Sequence, residues 1–512
     1  MNRSLFLLSG LVVLASASAQ TGAPNWSSYG RASSHRGNAP ASTQTLNRVL
    51  WATPVDRNPQ YVFGDVLLIH YGSPVITHNN VICVPVKTGS SDGWVVEGRN
   101  GTNGQLLYTV ATDYSIPNYT GLGWTPSFGP ALTPDGRLLV PAAGGTLLRR
   151  DNPESATSTA TRLAFYGISN FTASRSTYST DVKICTPITT DAAGNAYFGF
   201  VTFGANMDRT PIGAAKLVSG IARVSPTGVG TWKACTTLVH DTDATHPQFN
   251  CAPAISSDGL TLYAAIKKGA GGGYLVGLDP NTLNLKYIRR LLDPSTGNEA
   301  IMTDQGSGTP MVGTDGDVYF GVLANPHDRH NGRGFMLHFD KALAKQKLSG
   351  SFGWDITPSL IPSASVPAYS GLSPYLIVTK YNNYAGFGTG DGHNRVALLD
   401  PNTSQVDAIS GIPVMKEVQT ILGPASDPGN AGSFPGAVYE WCINSAVLDY
   451  NTKSALVNSE DGHLYRWSFT TGTITQGVLL DGPRGQAYTP TLSGPTGIVY
   501  AINNGKLFAV GS

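Results

Sequence analysis

The sequence predicts an all-β fold: a single eight-bladed β-propeller of four-stranded antiparallel blades, closed by its N-terminal strand. Three observations predict it. A motif of a small residue, a Pro, a short apolar run, a Gly-containing turn and a β-rich run recurs along the chain. Charged residues are only 13% of the 512, against 60 glycines. That balance suits tight turns and closely spaced strands better than helices with Glu- and Lys-rich wet faces. Helical periodicity is nearly absent, and only Met415–Leu422 (MKEVQTIL) reads as one short helix.

In chain order, residues 1–19 read as a signal peptide. Arg3 supplies the charged start, Leu5 to Leu14 the apolar run, and Ala17-Ser18-Ala19 the small-x-small cleavage site. The apolar run is short of the roughly 20 residues a bilayer span needs. No transmembrane segment is expected, and the address is secreted or periplasmic. Residues 20–46 form an N-terminal leader, and 47–512 form the propeller.

The clear repeat units begin with GSPVI at Gly72, GPALTPDGRLLVPA at Gly129, TPITTDAAGNAYFGF at Thr186 and APAISSDGLTLYAAI at Ala252. They continue with TPMVGTDGDVYFGV at Thr309 and TPTLSGPTGIVYAI at Thr489. Two weaker units start at Thr357 and Cys442; merging the former with a neighbour would leave seven blades. Each unit offers four short strands, and Asp-Gly between two β-rich runs is a hairpin signal because Gly accepts a positive φ. The last unit has only three strands, ending KLFAVGS, whereas Asn47–Asp56 (NRVLWATPVD) is an orphan strand near the start. Pairing Leu50 and Trp51 with Leu507–Val510 would close the ring and leave no terminal edge.

A formal net charge of +1 with no basic run gives no electrostatic footprint for nucleic acid. A monomer is expected. The five cysteines, Cys83, Cys185, Cys235, Cys251 and Cys442, include no CxxC or CxxCH, so zinc-ribbon and c-type haem sites have no support. Cys235 and Cys251 are the nearest pair for a disulfide; the alternative is five buried thiols acting as small hydrophobes.

In a four-strand meander, the loop between strands two and three lies on the same face as the link to the next blade. The long polar loops on that face fall in units three, five and six, with two long links besides, and long loops on a rigid scaffold are where binding usually resides. A ligand pocket is expected from His327, Asp328, Arg329, His330, Trp354, Tyr381, Asn383, Asp391 and His393. Imidazoles and carboxylates there suit a metal or acid–base work, and the competing reading is a solvated loop of local turns. Asp241, Asp243 and His246 are candidates for an irregular divalent-cation site. An EF-hand is excluded because positions six and twelve from Asp241 are His246 and Ala252. Trp354-Asp355, Tyr381 to Tyr384 and Glu440-Trp441 with Asn444 suit stacking on sugar rings, with Glu440 and Asp355 as an acid–base pair. Burial of the two Trp under loops is the alternative.

The repeats, the Asp-Gly-x-x-Tyr strands, the LDPNT turns at Leu278 and Leu399, and the leader NWSSYGRASSHRGNAP together resemble secreted PQQ-like β-propeller repeat proteins. The resemblance covers nearly all of Asn25–Ser512. It implies the fold, and it leaves activity open, since the family spans dehydrogenases and assembly scaffolds. Members that hold the quinone use adjacent cysteines, a calcium bound by Glu, Asn and Asp, and a catalytic Asp. No two cysteines are adjacent here, so PQQ is not expected to carry over, and no cofactor is assigned. There is no GxSxG elbow. The expected function is a non-catalytic scaffold that binds a ligand, a protein partner or an extracellular carbohydrate. A carbohydrate-active lyase or hydrolase and a PQQ-dependent dehydrogenase are the alternatives.

Overall fold

The computed structural model describes residues 23–59, 70–90, 92–117, 127–203, 211–269, 271–330, 332–482 and 490–512. The expected signal peptide lies outside them. Among the described residues the strands form eight antiparallel sheets, one per predicted unit. The unit at Thr357 keeps its own four strands, Ser359–Pro362, Tyr375–Tyr381, Arg395–Val406 and Pro413–Leu422. The blade number is therefore eight, and not seven. The fifth blade has three strands, Met311–Val312, Val318–Val322 and Phe335–Phe339. Its fourth position is marked by bridges from Met336 to Gly350 and from Phe339 to Gln346.

Strand position within a blade explains its composition. Second strands are sandwiched between neighbouring blades, so Val81–Lys87 (VICVPVK) and Tyr375–Tyr381 are buried at every residue. Such strands read as continuous apolar runs. Outer strands face solvent on one side, so Thr473–Leu479 alternates between exposed and half-buried. The turn glycines behave as the Asp-Gly signal requires: Gly136, Gly259, Gly316 and Gly462 all have φ between 71° and 90°.

Met415–Leu422 is a correction. It lies in the outer strand of blade 6, paired with Arg395–Val406. A half-solvated outer strand accepts Lys416 and Glu417, and Val418, Thr420 and Ile421 favour the pleated surface. Short helices occur elsewhere, at Ile168–Ala173, Arg175–Asp181 and Cys235–Val239. No Cys235–Cys251 disulfide forms; all five cysteines are buried thiols outside disulfides.

Ring closure follows the sequence. Arg48–Pro54 is the outer strand of the last blade, with Val49 opposite Val510, Trp51 opposite Ala509, and a bulge between them at Leu50. The leader does something the sequence did not signal. Trp26 pairs with Ile76 of blade 1, and Ser27 O accepts from Leu132 N of blade 2. Ser33, Ser34 and Arg36 carbonyls accept from Ile255, Val312 and Leu360 of blades 4, 5 and 6. Gly37 O accepts from Leu448 N of blade 7. Each of these partners belongs to, or borders, an innermost strand, so the leader winds around the ring axis and plugs it. Trp26 and His35 are fully buried.

His35 Nδ1 donates to Pro310 O at 2.7 Å, while its buried Nε2 has no hydrogen-bond partner. Burial pushes this imidazole down to about 4, against a small opposing pull from the Pro310 carbonyl. A folded pKa below the ordinary 6.5 gives stability that is complete above about pH 6.5 and lost as pH falls toward 4. Urea unfolding across that window should show falling stability, and His35→Gln should flatten the slope. Trp26→Ala should cost about 3–5 kcal/mol in the same assay.

Candidate functional site

The links that carry the chain from one blade's outer strand to the next blade's inner strand cross the ring face opposite the leader's hydrogen bonds. Just before the inner strands they bring polar side chains to the axis. Ser307 comes from the link into blade 5, Asp355 from that into blade 6, Asn444 from that into blade 7, and His70 from that into blade 1. All four are buried.

Their hydrogen bonds form one network. Asp355 Oδ1 accepts from the Ser307 backbone N at 2.7 Å and from Ser307 Oγ at 2.9 Å. Asn444 Nδ2 donates to Ser307 Oγ at 2.6 Å and lies 3.4 Å from Asp355 Oδ1. His70 Nδ1 lies 3.3 Å from Ser307 Oγ. Asp355 Oδ2 has no hydrogen-bond partner. Two basic groups stand beyond hydrogen-bond reach of it but within ion-pair distance, His70 Nδ1 at 3.7 Å and Lys380 Nζ at 4.0 Å. Burial holds His70 down at about 4, with Asp355 opposing, so its imidazole is neutral near pH 7.

Two clefts flank this network. One, with about 20 Å3 of enclosed space, is lined by Tyr29, His70, Asn250 and Ser307 among others. The other, also with about 20 Å3 of enclosed space, is bordered by Trp354 and Asp355, with Gly306, Gly308 and Gly353 keeping its wall free of side chains. Nearby, Glu440 is pushed well above the usual carboxylate range, first by burial and then by repulsion from Glu460, with Lys380 opposing.

Of the pocket residues expected from sequence, Trp354 borders an axial cleft. Tyr381 lies under the Arg333 guanidinium, 4.4 Å from ring centroid to Cζ. Asn383 and His393 both bond Asp391, at 2.7 and 2.8 Å, in a local loop cluster. His327 is exposed, and the side chains of Asp328 and Arg329 lie outside the described residues. His330 is the largest departure, because it is buried and not an exposed loop residue. Its Nε2 faces Ser351 Oγ at 3.1 Å and Asp407 Oδ2 at 3.2 Å, and its ring stacks on Phe335. Ser351 Oγ in turn donates to Asp407. A nucleophilic triad needs Ser and Asp on opposite imidazole nitrogens; here both share Nε2, so the arrangement is structural.

Asp241, Asp243 and His246 are not gathered among the described residues. Asp241 accepts from Tyr274 and pairs with Lys268. His246 turns to the buried Asp304, 3.2 Å from both carboxylate oxygens, with Lys267 on the same carboxylate. Ser307, Lys380 and His70 were missed from sequence. The available signal was position: Ser307 and Asp355 each stand two residues before a Thr-Pro that precedes an inner strand.

No family model matches the chain, and no curated protein does. Solved structures do match in shape. A europium-containing methanol dehydrogenase aligns at 9% identity and TM-score 0.56, covering 94% of this chain and 89% of that one. A quinohemoprotein alcohol dehydrogenase from Comamonas testosteroni aligns at 12% identity and TM-score 0.54, covering 96% and 81%. The chain has the quinoprotein-type propeller fold. At such identities the likeness concerns fold alone. BamB from Moraxella catarrhalis also aligns, at 13% identity and TM-score 0.45 over 92% of this chain and all of that one. Among the described residues no helix is long and apolar enough to cross a membrane.

The burial of His330 reverses the outcome expected for an exposed loop. His330→Ala should destabilise by about 2–4 kcal/mol, because it opens a cavity against Phe335 and strands Asp407. Hydrogen bonds from His330, Ser351 and Ser410 hold the Asp407 carboxyl well below its ordinary range although burial alone would raise it. His393→Ala, half-exposed, should stay within about 0.5 kcal/mol. Chemical denaturation of the two variants side by side checks this.

Proposed function

We propose that the chain is a binding propeller that seats a small polar ligand on the ring axis, at the mouth opposite the leader. The observation that supports it is Asp355 Oδ2. A buried carboxylate oxygen without a donor costs on the order of 1–3 kcal/mol or more, and its two nearest basic groups stand 3.7 and 4.0 Å away. A ligand donor placed between them would satisfy the oxygen directly. The half-buried Trp354 offers flat apolar surface beside the polar network.

A second reading, carbohydrate cleavage, rests on Glu440. A carboxyl pushed well above the usual carboxylate range by burial and by a neighbouring carboxylate is suited to general-acid work. The quinone of the resembling family finds Asp, Asn and Glu side chains at this mouth. It lacks the adjacent cysteine pair, so no oxidation chemistry is derived for the chain.

A thermal-shift panel of neutral saccharides, amino acids and small organic acids separates these readings. A seated ligand raises the melting temperature of the wild type by linkage, and Asp355→Asn should remove that rise while retaining the unliganded melting temperature within a few degrees. An equal rise in both proteins would place the ligand elsewhere. If the second reading holds, Glu440→Gln should abolish release of cleaved sugar ends, and a wild type that cleaves nothing counts against it.

A further inference from the structure

A buried guanidinium between blades 5 and 6 carries two donors that the described residues leave unused. Arg333 stands two residues ahead of the third strand of blade 5 and is 4% exposed. Its backbone is pinned at three points. Arg333 N donates to His330 O at 2.8 Å, and Arg333 O accepts from Gly353 N at 2.7 Å and Trp354 N at 2.8 Å. The side chain reaches across to blade 6, where Cζ lies 4.4 Å from the Tyr381 ring centroid and 6.0 Å from that of Phe352. Its Nε and Nη2 have no hydrogen-bond partner.

Those two nitrogens lie on one edge of the guanidinium, and their parallel N–H bonds make the fork that grips a carboxylate from the side. Stacking on Tyr381 steadies the charge from the ring face, but N–H bonds in the guanidinium plane gain nothing from it. Burial pushes the Tyr381 phenol up to about 12, and the Arg333 charge is the largest effect opposing it. Asp407 and Glu417 also act on that phenol. Both are engaged elsewhere: Asp407 accepts from His330, Ser351 and Ser410, and Glu417 from Gln405. A row of rings runs from solvent toward the guanidinium. Phe387 is exposed, Tyr384 lies 6.3 Å from it, and the fully buried Phe352 lies 6.1 Å beyond Tyr384. Phe387 also rests against Gly332, where an added Cβ would meet its Cδ1 at 3.9 Å.

We propose that Arg333 is the anion-binding residue of a second site, between blades 5 and 6, for a carboxylate borne on a flat apolar body. One carboxylate oxygen accepts from Nε–H and the other from Nη2–H, which neutralises the cation and fills both unused donors. The apolar body packs along Phe352, Tyr384 and Phe387, since ligand recesses pair a few fixed polar groups with aromatic walls. Entry is past Phe387, whose ring moves off the Gly332 turn as the ligand seats. A tetrahedral phosphate can use the fork but has no flat body for the rings. The site uses neither Asp355 nor His70, so it stands apart from the axial reading.

The test is calorimetric titration of the full chain with benzoate, acetate and inorganic phosphate. Benzoate should bind at a single site, with acetate and phosphate each weaker by more than about tenfold. Arg333→Lys keeps a cation but lacks the fork, so it should weaken benzoate by more than about tenfold while remaining folded by circular dichroism. Asp355→Asn should bind benzoate as the wild type does. Four results would overturn the site: no benzoate heat beyond dilution up to about 20 mM, acetate or phosphate as tight as benzoate, undiminished binding in Arg333→Lys, or binding lost in Asp355→Asn. If Arg333→Lys does not fold, photocrosslinking of the wild type with benzoylbenzoate decides. Adducts within residues 381–387 support the site, and adducts confined to other stretches overturn it.

Discussion

The leader's backbone hydrogen bonds to the innermost strands are the constraint on which the ring depends. Those strands are only two or three residues long in most blades, as at Val75–Ile76, Ala131–Leu132 and Met311–Val312. Each presents polar backbone groups to the axis, where an open channel would leave them to water or unpaired. The leader accepts from blades 2, 4, 5, 6 and 7 and exchanges bonds with blade 1. One peptide therefore satisfies groups from six separate sheets, and buried backbone groups need such partners. Immediately after it the chain enters the last blade as its outer strand. The same terminal segment thus fills the centre and fastens the edge, coupling two long-range closures that would otherwise each carry their own ordering entropy.

A plug at one mouth gives the two faces different characters. On the leader side the axis is a packed interior: Tyr29 OH meets Thr357 Oγ1 at 3.0 Å, and His35 bonds the Thr309-Pro310 segment. On the other side the described residues of the inter-blade links converge, and those into blades 2, 4, 5, 6 and 7 bring Ser127, Asn250, Ser307, Asp355 and Asn444 ahead of their inner strands. Ser127 and Asn250 pair at 2.8 Å across blades 2 and 4 in the same way. A ring of such residues is paired on one side of the axis and incompletely satisfied on the other, at Asp355 and Asn444. Asymmetry of satisfaction on an otherwise repetitive scaffold is a sharper pointer to function than loop length, because buried polar groups without partners are rare in folded proteins.

The fold was legible in the sequence because its determinants are local and repeated. Asp-Gly turns, continuous apolar second strands and alternating outer strands each report their own blade, and eight copies make the signal redundant. The closing strand was legible for a related reason: a unit of three strands and an orphan strand leave one arrangement. The plug was not legible, since Asn25–Pro40 has no periodicity and its partners are backbone groups that leave no mark on side-chain choice. The site was half-legible. Trp354, Asp355, Glu440 and Asn444 carry a visible chemistry, whereas Ser307, His70 and Lys380 acquire theirs only when four blades meet. His330 misled because polar neighbours in ANPHDRHNGR suggest a wet loop, while the chain folds the imidazole inward onto Phe335. Met415–Leu422 misled because helical spacing of its apolar residues also fits a half-solvated outer strand.

Alternation along Glu440–Asn444 ties the two polar groups of this face to the core. Trp441 is fully buried, and its Nε1 donates to Asn394 O at 3.3 Å, while its backbone N donates to Asn382 Oδ1 at 3.2 Å. Asn382 Nδ2 returns a bond to Trp441 O at 3.2 Å. A slip of one residue would put this indole at the axis and Glu440 or Cys442 in the apolar core, a cost of several kcal/mol for the carboxylate alone. The register of this short link is therefore fixed by packing against blade 6, and the positions of Glu440, Cys442 and Asn444 follow from it. The reach of the axial network from blade 1 to blade 7 thus rests on one indole packed in the core between blades 6 and 7.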